Sequence, residues 1–572
     1  MYVDIVPNRN SPPAILLRES RREGKKTHKR TIANISHLPM DQVHLLKQVL
    51  KGEKLVRPTE AFVIQESWPH GHVEAVLGTL RKIGLERMIA SQPSRQRDLV
   101  VAMIVEQILH HESKLADTRN WHSTTLAQEL GVEDADENDL YTALDWLLAR
   151  QKRIEKKLGK RHFSEGDCAF YDVTSSYYEG CTCGLARWGN NRDGKKGRKV
   201  IVFGTLADQE GRPVGVDVYP GNTGDPTTIP DQVAKLRQAF GLTRLVLVGD
   251  RGLLTQTQIE YLKRYPGLGW ISALRSEAIR QLIDKGHLGI SLFDTRNLAE
   301  IHSPDYPNER LVACYNPLMA EERNRKRREL LDVTETLLRK IRREVDRRTK
   351  KPLKKQEIGL KVGRVLNKFK MAKHFDVTIE DSTLEWQRRR EQIRREEMLD
   401  GIYIIRTSEP KEAISAEQTV KQYKNLTLVE WIYRTVKGLA ILIRPIRHRE
   451  ANRVRAHIFL CMLAYYVVWH MRKALTPLLF EDEELDLLRE TRDPVAKAEP
   501  SQSAKKKKRT LTTSDGFTVH SLATLLNALA KRCKHRCYVR GADPQSSFFQ
   551  LTEPDALQQR AFELLGLMRP VN

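Results

Sequence analysis

Cys168-Ala169-Phe170-Tyr171-Asp172-Val173-Thr174-Ser175-Ser176 is the stretch on which the fold of this chain turns. It reads as a short strand, apolar on both sides, with one carboxylate set into it and hydroxyls at its end. An acid in an apolar strand is costly unless a cation compensates it, and a divalent metal ion is a compensation that also does chemistry. The plainer reading is an Asp that caps the end of a strand. A second stretch favours the site: Leu245-Val246-Leu247-Val248-Gly249-Asp250-Arg251-Gly252 is again an apolar strand ending in an acid, followed by Gly and a helical pattern. Two strand-end aspartates, Asp172 and Asp250, suggest a shared site whose third acid lies further along.

Between and around them the pattern is α/β. Strands are expected at 168–173, 199–206 and 213–218, a helix at 228–239, a strand at 244–249, a helix at 255–264 and a strand at 268–274. Three consecutive strands followed by β-α units predict a mixed sheet, an antiparallel meander extended by parallel strands. Upstream, residues 1–35 alternate short β-like runs with basic turns, and 40–155 shows helical spacing throughout. Ser123–Val132 and Asp139–Leu148 read as helix, Gly turn, helix, which serves equally as a DNA-reading corner or a plain bundle corner. Downstream, 276–398 is dominated by charged helices, with Arg323, Arg325, Lys326, Arg327 and Arg328 crowding one segment. A strand returns at Ile402–Thr407.

These changes of character divide the chain into 1–160 (small sheet plus helical DNA-binding region), 161–275 (first part of the sheet domain), 276–398 (inserted, basic and largely helical), 399–475 (second part of the sheet domain) and 476–572 (basic linker and C-terminal helices). Lys+Arg less Asp+Glu is 97 − 73 = +24. That excess points to a polyanionic partner, nucleic acid above all. Seven cysteines in no regular framework argue against an oxidised, secreted protein. The N-terminus lacks the charged and apolar regions of a signal peptide. The most apolar run, Ile458–Trp469, is too short to span a bilayer, so the expectation is a cytoplasmic protein with no membrane partner.

The third acid is on a helix. In Tyr423–Lys437 the residues Glu430, Arg434 and Lys437 fall at i, i+4 and i+7, and Tyr423 stands seven residues before Glu430. An intrahelical Glu–Arg pair would account for part of this face, and a third metal carboxylate with cations for phosphate would account for all of it.

With these three acids the chain resembles the DDE transposases of bacterial insertion sequences, insertion-sequence family four and its close relatives, on a ribonuclease H-like fold. That family carries one Asp on the initial strand, one on the fourth strand before a helix, and a Glu on a late helix. The Glu sits in a signature of Tyr, two residues, Arg, three residues, Glu, six residues, Lys. Tyr423, Glu430 and Lys437 fit that spacing, while Leu426 stands at the Arg position, where Lys424 or Arg434 are the candidate replacements. A large insertion before the Glu also matches: 430 − 250 = 180 residues separate the second pair of acids, against 250 − 172 = 78 for the first.

The resemblance implies metal-dependent DNA strand cleavage and strand transfer at the ends of an insertion sequence. Asp172 would bridge two Mg²⁺ or Mn²⁺ ions, with Asp250 and Glu430 each holding one. Tyr423, Arg434 and Lys437 would contact DNA phosphates. The implied partners are double-stranded DNA, as element ends and as target, and a second copy of the chain in a synaptic homodimer, in the bacterial cytoplasm at the nucleoid. A nuclease of the same fold, or an inactive DNA-binding scaffold, would share most of these features. Trp270 and Trp431 are candidates to stack a flipped base, though each reads first as a core residue. Cys181/Cys183 and Cys533/Cys537 are no standard zinc knuckle. The loop Arg192–Lys199 reads as a basic hairpin tip that touches DNA, and Arg492–Gly516 as a disordered basic linker.

Overall fold

The structure is a computed structural model that describes residues 1–9, 11–53, 61–293, 296–540 and 546–568. Met1–Trp68 and Cys533–Glu553 form one compact unit, and Pro69–Arg532 with Pro554–Asn572 form a second.

In the first unit β1 (Tyr2–Val6), β2 (Ala14–Glu23) and β3 (Lys26–Asn34) make an antiparallel sheet in that order. Gly24 turns the β2–β3 hairpin at φ 60°, where a Cβ would be strained. Val3, Ile15 and Ile35 close on Val43 of the Met40–Leu50 helix, so the base of this sheet has a core. β4 (Phe62–Pro69) starts a second small sheet.

The second unit is built on one sheet. In chain order its strands are β5 (Cys168–Tyr177), β6 (Val200–Ala207), β7 (Pro213–Pro220), β8 (Leu245–Val248), β9 (Leu268–Ala273), β10 (Leu298–Ile301) and β11 (Arg310–Tyr315). A separate hairpin of β12 (Phe375–Glu380) and β13 (Thr383–Arg388) follows, then β14 (Ile402–Thr407). Across the main sheet the order is β10-β11-β14-β9-β8-β5-β6-β7. β5, β6 and β7 are an antiparallel meander, and β8 and β9 join it in parallel. This is the mixed α/β, ribonuclease H-like sheet, with the first acid on its first strand and the second just past its fourth. β6 and β8 are buried at every position, which is why they read as continuous apolar runs.

One outcome differs from the sequence reading. β10 and β11 come from the 276–398 segment and lengthen the sheet through antiparallel pairing with β14. Arg310–Tyr315 is nearly all apolar and short, a pattern that periodicity cannot assign, and the charged helices after it dominate the composition. Those helices, Pro317–Arg347 and Lys355–Phe369, pack with the β12–β13 hairpin around their own core of Leu338, Ile358, Val362 and Leu384.

Helices cover the meander. Arg95–Leu109 is capped by Ser94, and Glu137–His162 by an Asp136–Asp139 capping box. The Leu126–Leu130 helix is a single turn, short for the first arm of a helix-turn-helix. Ala451–Leu475 is the central helix, with every residue from Ile458 to Val468 buried. By length and composition Ala451–Leu478 could cross a membrane, which the apolar run alone did not suggest. However, 78% of its apolar window is buried inside the protein, as in a core helix.

The expected basic linker is also structured. Ser501 caps a helix at Gln502–Thr510, and Lys507 is drawn in by the carbonyls of Thr476, Leu479 and Glu481. Leu522–Leu529 and Ala556–Leu565 are the two C-terminal helices. Between them β15 (Cys533–Val539) and β16 (Phe548–Leu551) complete the first unit's second sheet, in the order β16-β15-β4.

Candidate active site

Asp172 sits in the middle of β5, opposite Thr205 of β6. On its other side β5 pairs in parallel with β8, Cys168 beside Val246 and Phe170 beside Val248. The paired register ends at Phe170 and Val248; Asp172 lies further along β5, and Asp250 stands in the turn two residues past β8. The Asp250 charge acts on the Asp172 carboxyl, so the first two acids are neighbours. Desolvation pushes the Asp172 carboxyl up to about 7; the nearby Asp250 and Asp225 charges add to the rise, and the Val173 N–H and Arg192 oppose it. Asp250 is held by its own turn, Oδ1 accepting the N–H groups of Gly252 at 3.0 Å and Leu253 at 2.7 Å.

Glu430 lies in the first turn of the Thr427–Lys437 helix, which buries Val429, Ile432, Tyr433 and Val436 against the unit. Two side chains fix its pose. The Tyr433 hydroxyl donates to the carbonyl of Asp172 and accepts the N–H of Thr205 at 3.0 Å. Lys437, one turn on, donates to Thr174 Oγ1 at 2.7 Å, the Ser175 carbonyl at 2.6 Å and Asp193 Oδ1 at 3.1 Å. Glu430, Tyr433 and Lys437 stand at i, i+3 and i+7, one stripe of the helix, so the anchors lie on the stripe that carries the third acid.

The carboxylates do not converge. Among the described residues no three of His, Cys, Asp and Glu gather closely enough to hold a metal ion. Glu430 is 59% exposed and faces Arg434 at 3.8 Å, a pair of a kind that contributes about 0–1 kcal/mol. Three close carboxylates repel one another, and an exposed guanidinium is a cheap partner to take instead. Tyr423 connects the second and third acids: burial pushes its phenol up to about 12, and both Asp250 and Glu430 contribute to the rise. The neighbourhood therefore runs Asp172, Asp250, Tyr423, Glu430.

Of the expected phosphate contacts, Arg434 is 73% exposed. Lys437 is half-buried and bound to three protein acceptors, and its pKa is lowered by burial against the opposing pull of Asp193. Trp270 is buried in the core, whereas Trp431 is 46% exposed under the Arg472 guanidinium. Cys181 is exposed and Cys183 buried, and neither belongs to a metal-holding group.

Sequence reasoning missed Asp193. Its side chain is 1% exposed and accepts from the Tyr177 N–H at 3.0 Å, from Lys437 and from Arg444. The signal available was a lone acid in the run from Arg192 to Lys199. The rest of that loop, Gly194–Arg198, is exposed, as expected of a basic tip. Arg192 itself pairs with Asp225 beside Asp172.

A family model of the transposase DDE domain matches residues 170–467, and a model of the IS1634 family transposase N-terminal domain matches residues 3–61. No curated protein matches the sequence. Among solved structures, the cryo-EM piggyBac transposase synaptic complex with hairpin DNA aligns at a TM-score of 0.34 and 10% identity, covering 78% of this chain and 85% of that one.

Proposed function

This chain belongs to the transposase DDE-domain family, and we propose that it cuts and joins DNA strands at the ends of its own insertion sequence, with Asp172, Asp250 and Glu430 holding two divalent cations, Mg²⁺ or Mn²⁺. One observation carries the reading: Asp172 is a desolvated carboxylate raised to about 7, within reach of the Asp250 charge and tied through its carbonyl to the helix that carries Glu430. Hard carboxylate oxygens suit Mg²⁺ or Mn²⁺, and an undercompensated acid is one that a cation relieves. When bound, the ions would supply charge neutralisation and activation of a water or 3′-hydroxyl.

The chain's own residues position and hold. Tyr433 and Lys437 fix the helix that carries Glu430 to β5, the strand that carries Asp172. Tyr423 stays protonated across the working range, so its phenol donates to a strand-end phosphate. Arg434, exposed one turn past Glu430, grips the backbone. Lys437 reaches a phosphate only by exchanging Asp193 for it, so its first task is to fix the helix. The partners are element ends and target duplex, brought together by a homodimer at the bacterial nucleoid.

The test is cleavage and joining of a duplex carrying the element's ends, with Mg²⁺ or Mn²⁺, by wild type, Asp172→Asn and Glu430→Gln. The expected result is strand transfer by wild type and a loss of at least about 10³-fold in each variant, with duplex affinity kept. Cutting without joining would replace the proposal with a nuclease, and binding without chemistry in all three proteins with a scaffold.

A further inference from the structure

The β2–β3 hairpin of the first unit projects beyond its core. From Arg18 to Thr31 it carries seven basic residues (18, 21, 22, 25, 26, 29, 30) and two acids (19, 23), a net +5. Every residue of β3 is exposed, as is β2 from Glu19 to Glu23. A two-stranded ribbon is marginal in water by itself, so a long one left uncovered on both faces is a surface for something else to cover.

The register sorts its charges. Ser20 pairs with Lys29 and Arg22 with Thr27, which places these four on one face. Glu19 pairs with Arg30 and Glu23 with Lys26, which places both acids on the other. The first face is therefore free of acids. Arg18, nearer the base, is ion-paired to Asp4 at 2.6 Å and belongs to the sheet.

We propose that the β2–β3 hairpin lies as a two-stranded ribbon in the major groove of B-form DNA, with its Arg22/Lys29 face toward the DNA. The proposal rests on the transposase reading and adds the surface and the mode of contact. The B-form major groove, about 12 Å wide, admits a β-ribbon, whereas the major groove of A-form RNA is too narrow to be read. Proteins that hold single strands stack the bases on aromatic rings, and no Phe, Tyr or Trp lies between Arg18 and Thr31. Insertion at a lipid surface needs apolar side chains, and that stretch has none. Arg22 and Lys29 are charged, flexible and acid-free, suited to phosphates and to guanine edges.

The experiment is anisotropy titration of the full chain with a short mixed-sequence duplex across a range of NaCl. It compares wild type, Arg22→Gln/Lys29→Gln and, from the opposite face, Arg21→Gln/Arg30→Gln. These positions are exposed, and matching melting curves establish that the variants fold. The first pair should weaken binding roughly tenfold or more at low salt and flatten the slope of log K against log[salt] by about two, the release expected from two lost phosphate contacts. The opposite pair should change the slope by less than half as much. Duplex DNA should compete where single strands and duplex RNA do not. Equal loss from both faces, or wild-type behaviour of the first pair, would overturn the ribbon and leave the transposase reading intact. A wild-type chain that binds no duplex at all would instead remove that reading.

Discussion

Asp172 and Asp193 are two desolvated aspartates attached to the same strand, and they are treated in opposite ways. At the end of β5, Asp193 receives the Tyr177 N–H, the Lys437 ammonium and the Arg444 guanidinium. In the middle of β5, Asp172 has the Val173 N–H and distant help from Arg192, set against burial and two acidic neighbours. An acid whose charge is answered from within the chain is structural. An acid left undercompensated keeps its proton up to about pH 7, and a bound cation is the partner we propose for it.

Replacing each acid should break the comparison most sharply. Asp172→Asn should abolish strand cleavage and leave the fold intact. Asp193→Ala strands two cations and should destabilise the second unit by about 3–5 kcal/mol, read as a shift of its urea midpoint. Equal destabilisation by both would erase the distinction.

The next effect is in pH. The folded Asp172 carboxyl stands at about 7 against 3.8 for an aspartate free in water, so the folded protein holds the extra proton between these values. The associated stability is fully present below about 4 and is lost as pH rises through about 7. With chelator present, wild type should lose up to roughly 4 kcal/mol between pH 4 and pH 8 relative to Asp172→Asn. Added Mg²⁺ should return part of it at pH 8 only. Parallel stability profiles for the two proteins would show that Asp172 is compensated after all.

The smallest effect extends the comparison to the cations. Arg434→Ala should move stability by less than about 0.5 kcal/mol, since an exposed pair contributes little, while lowering duplex affinity. Lys437→Ala removes a half-buried ammonium from Asp193 and should cost several times more, in the same urea experiment.

The parts of this site that repeat locally were legible. Apolar runs that carry or lead into an Asp gave β5 and β8, which pair in parallel. Helical spacing placed Glu430 on one stripe with Lys437. Asp193 was hidden because its value comes from Lys437 and Arg444, some 250 residues away in sequence, and a single acid in a basic loop has no local signature. The same holds for Lys507. In sequence it is one of four consecutive lysines, and the carbonyls of Thr476, Leu479 and Glu481 with the Glu483 carboxylate make it a structural residue. Composition judges such a run as a solvated tail because it cannot see acceptors brought from elsewhere. Lys437 misleads in the other direction, since a lysine at a phosphate-binding spacing also serves as an anchor.

The Tyr433 hydroxyl accepts a hydrogen bond from one strand of the sheet and donates one to the next, at the residue that bears the first acid. Sheet and helix therefore share a coordinate there. The helix cannot slide, roll or retract without stretching a link on Asp172 itself, so the first and third acids do not drift independently. The Tyr433 oxygen and the Lys437 ammonium together tie the helix of the third acid to the strand of the first.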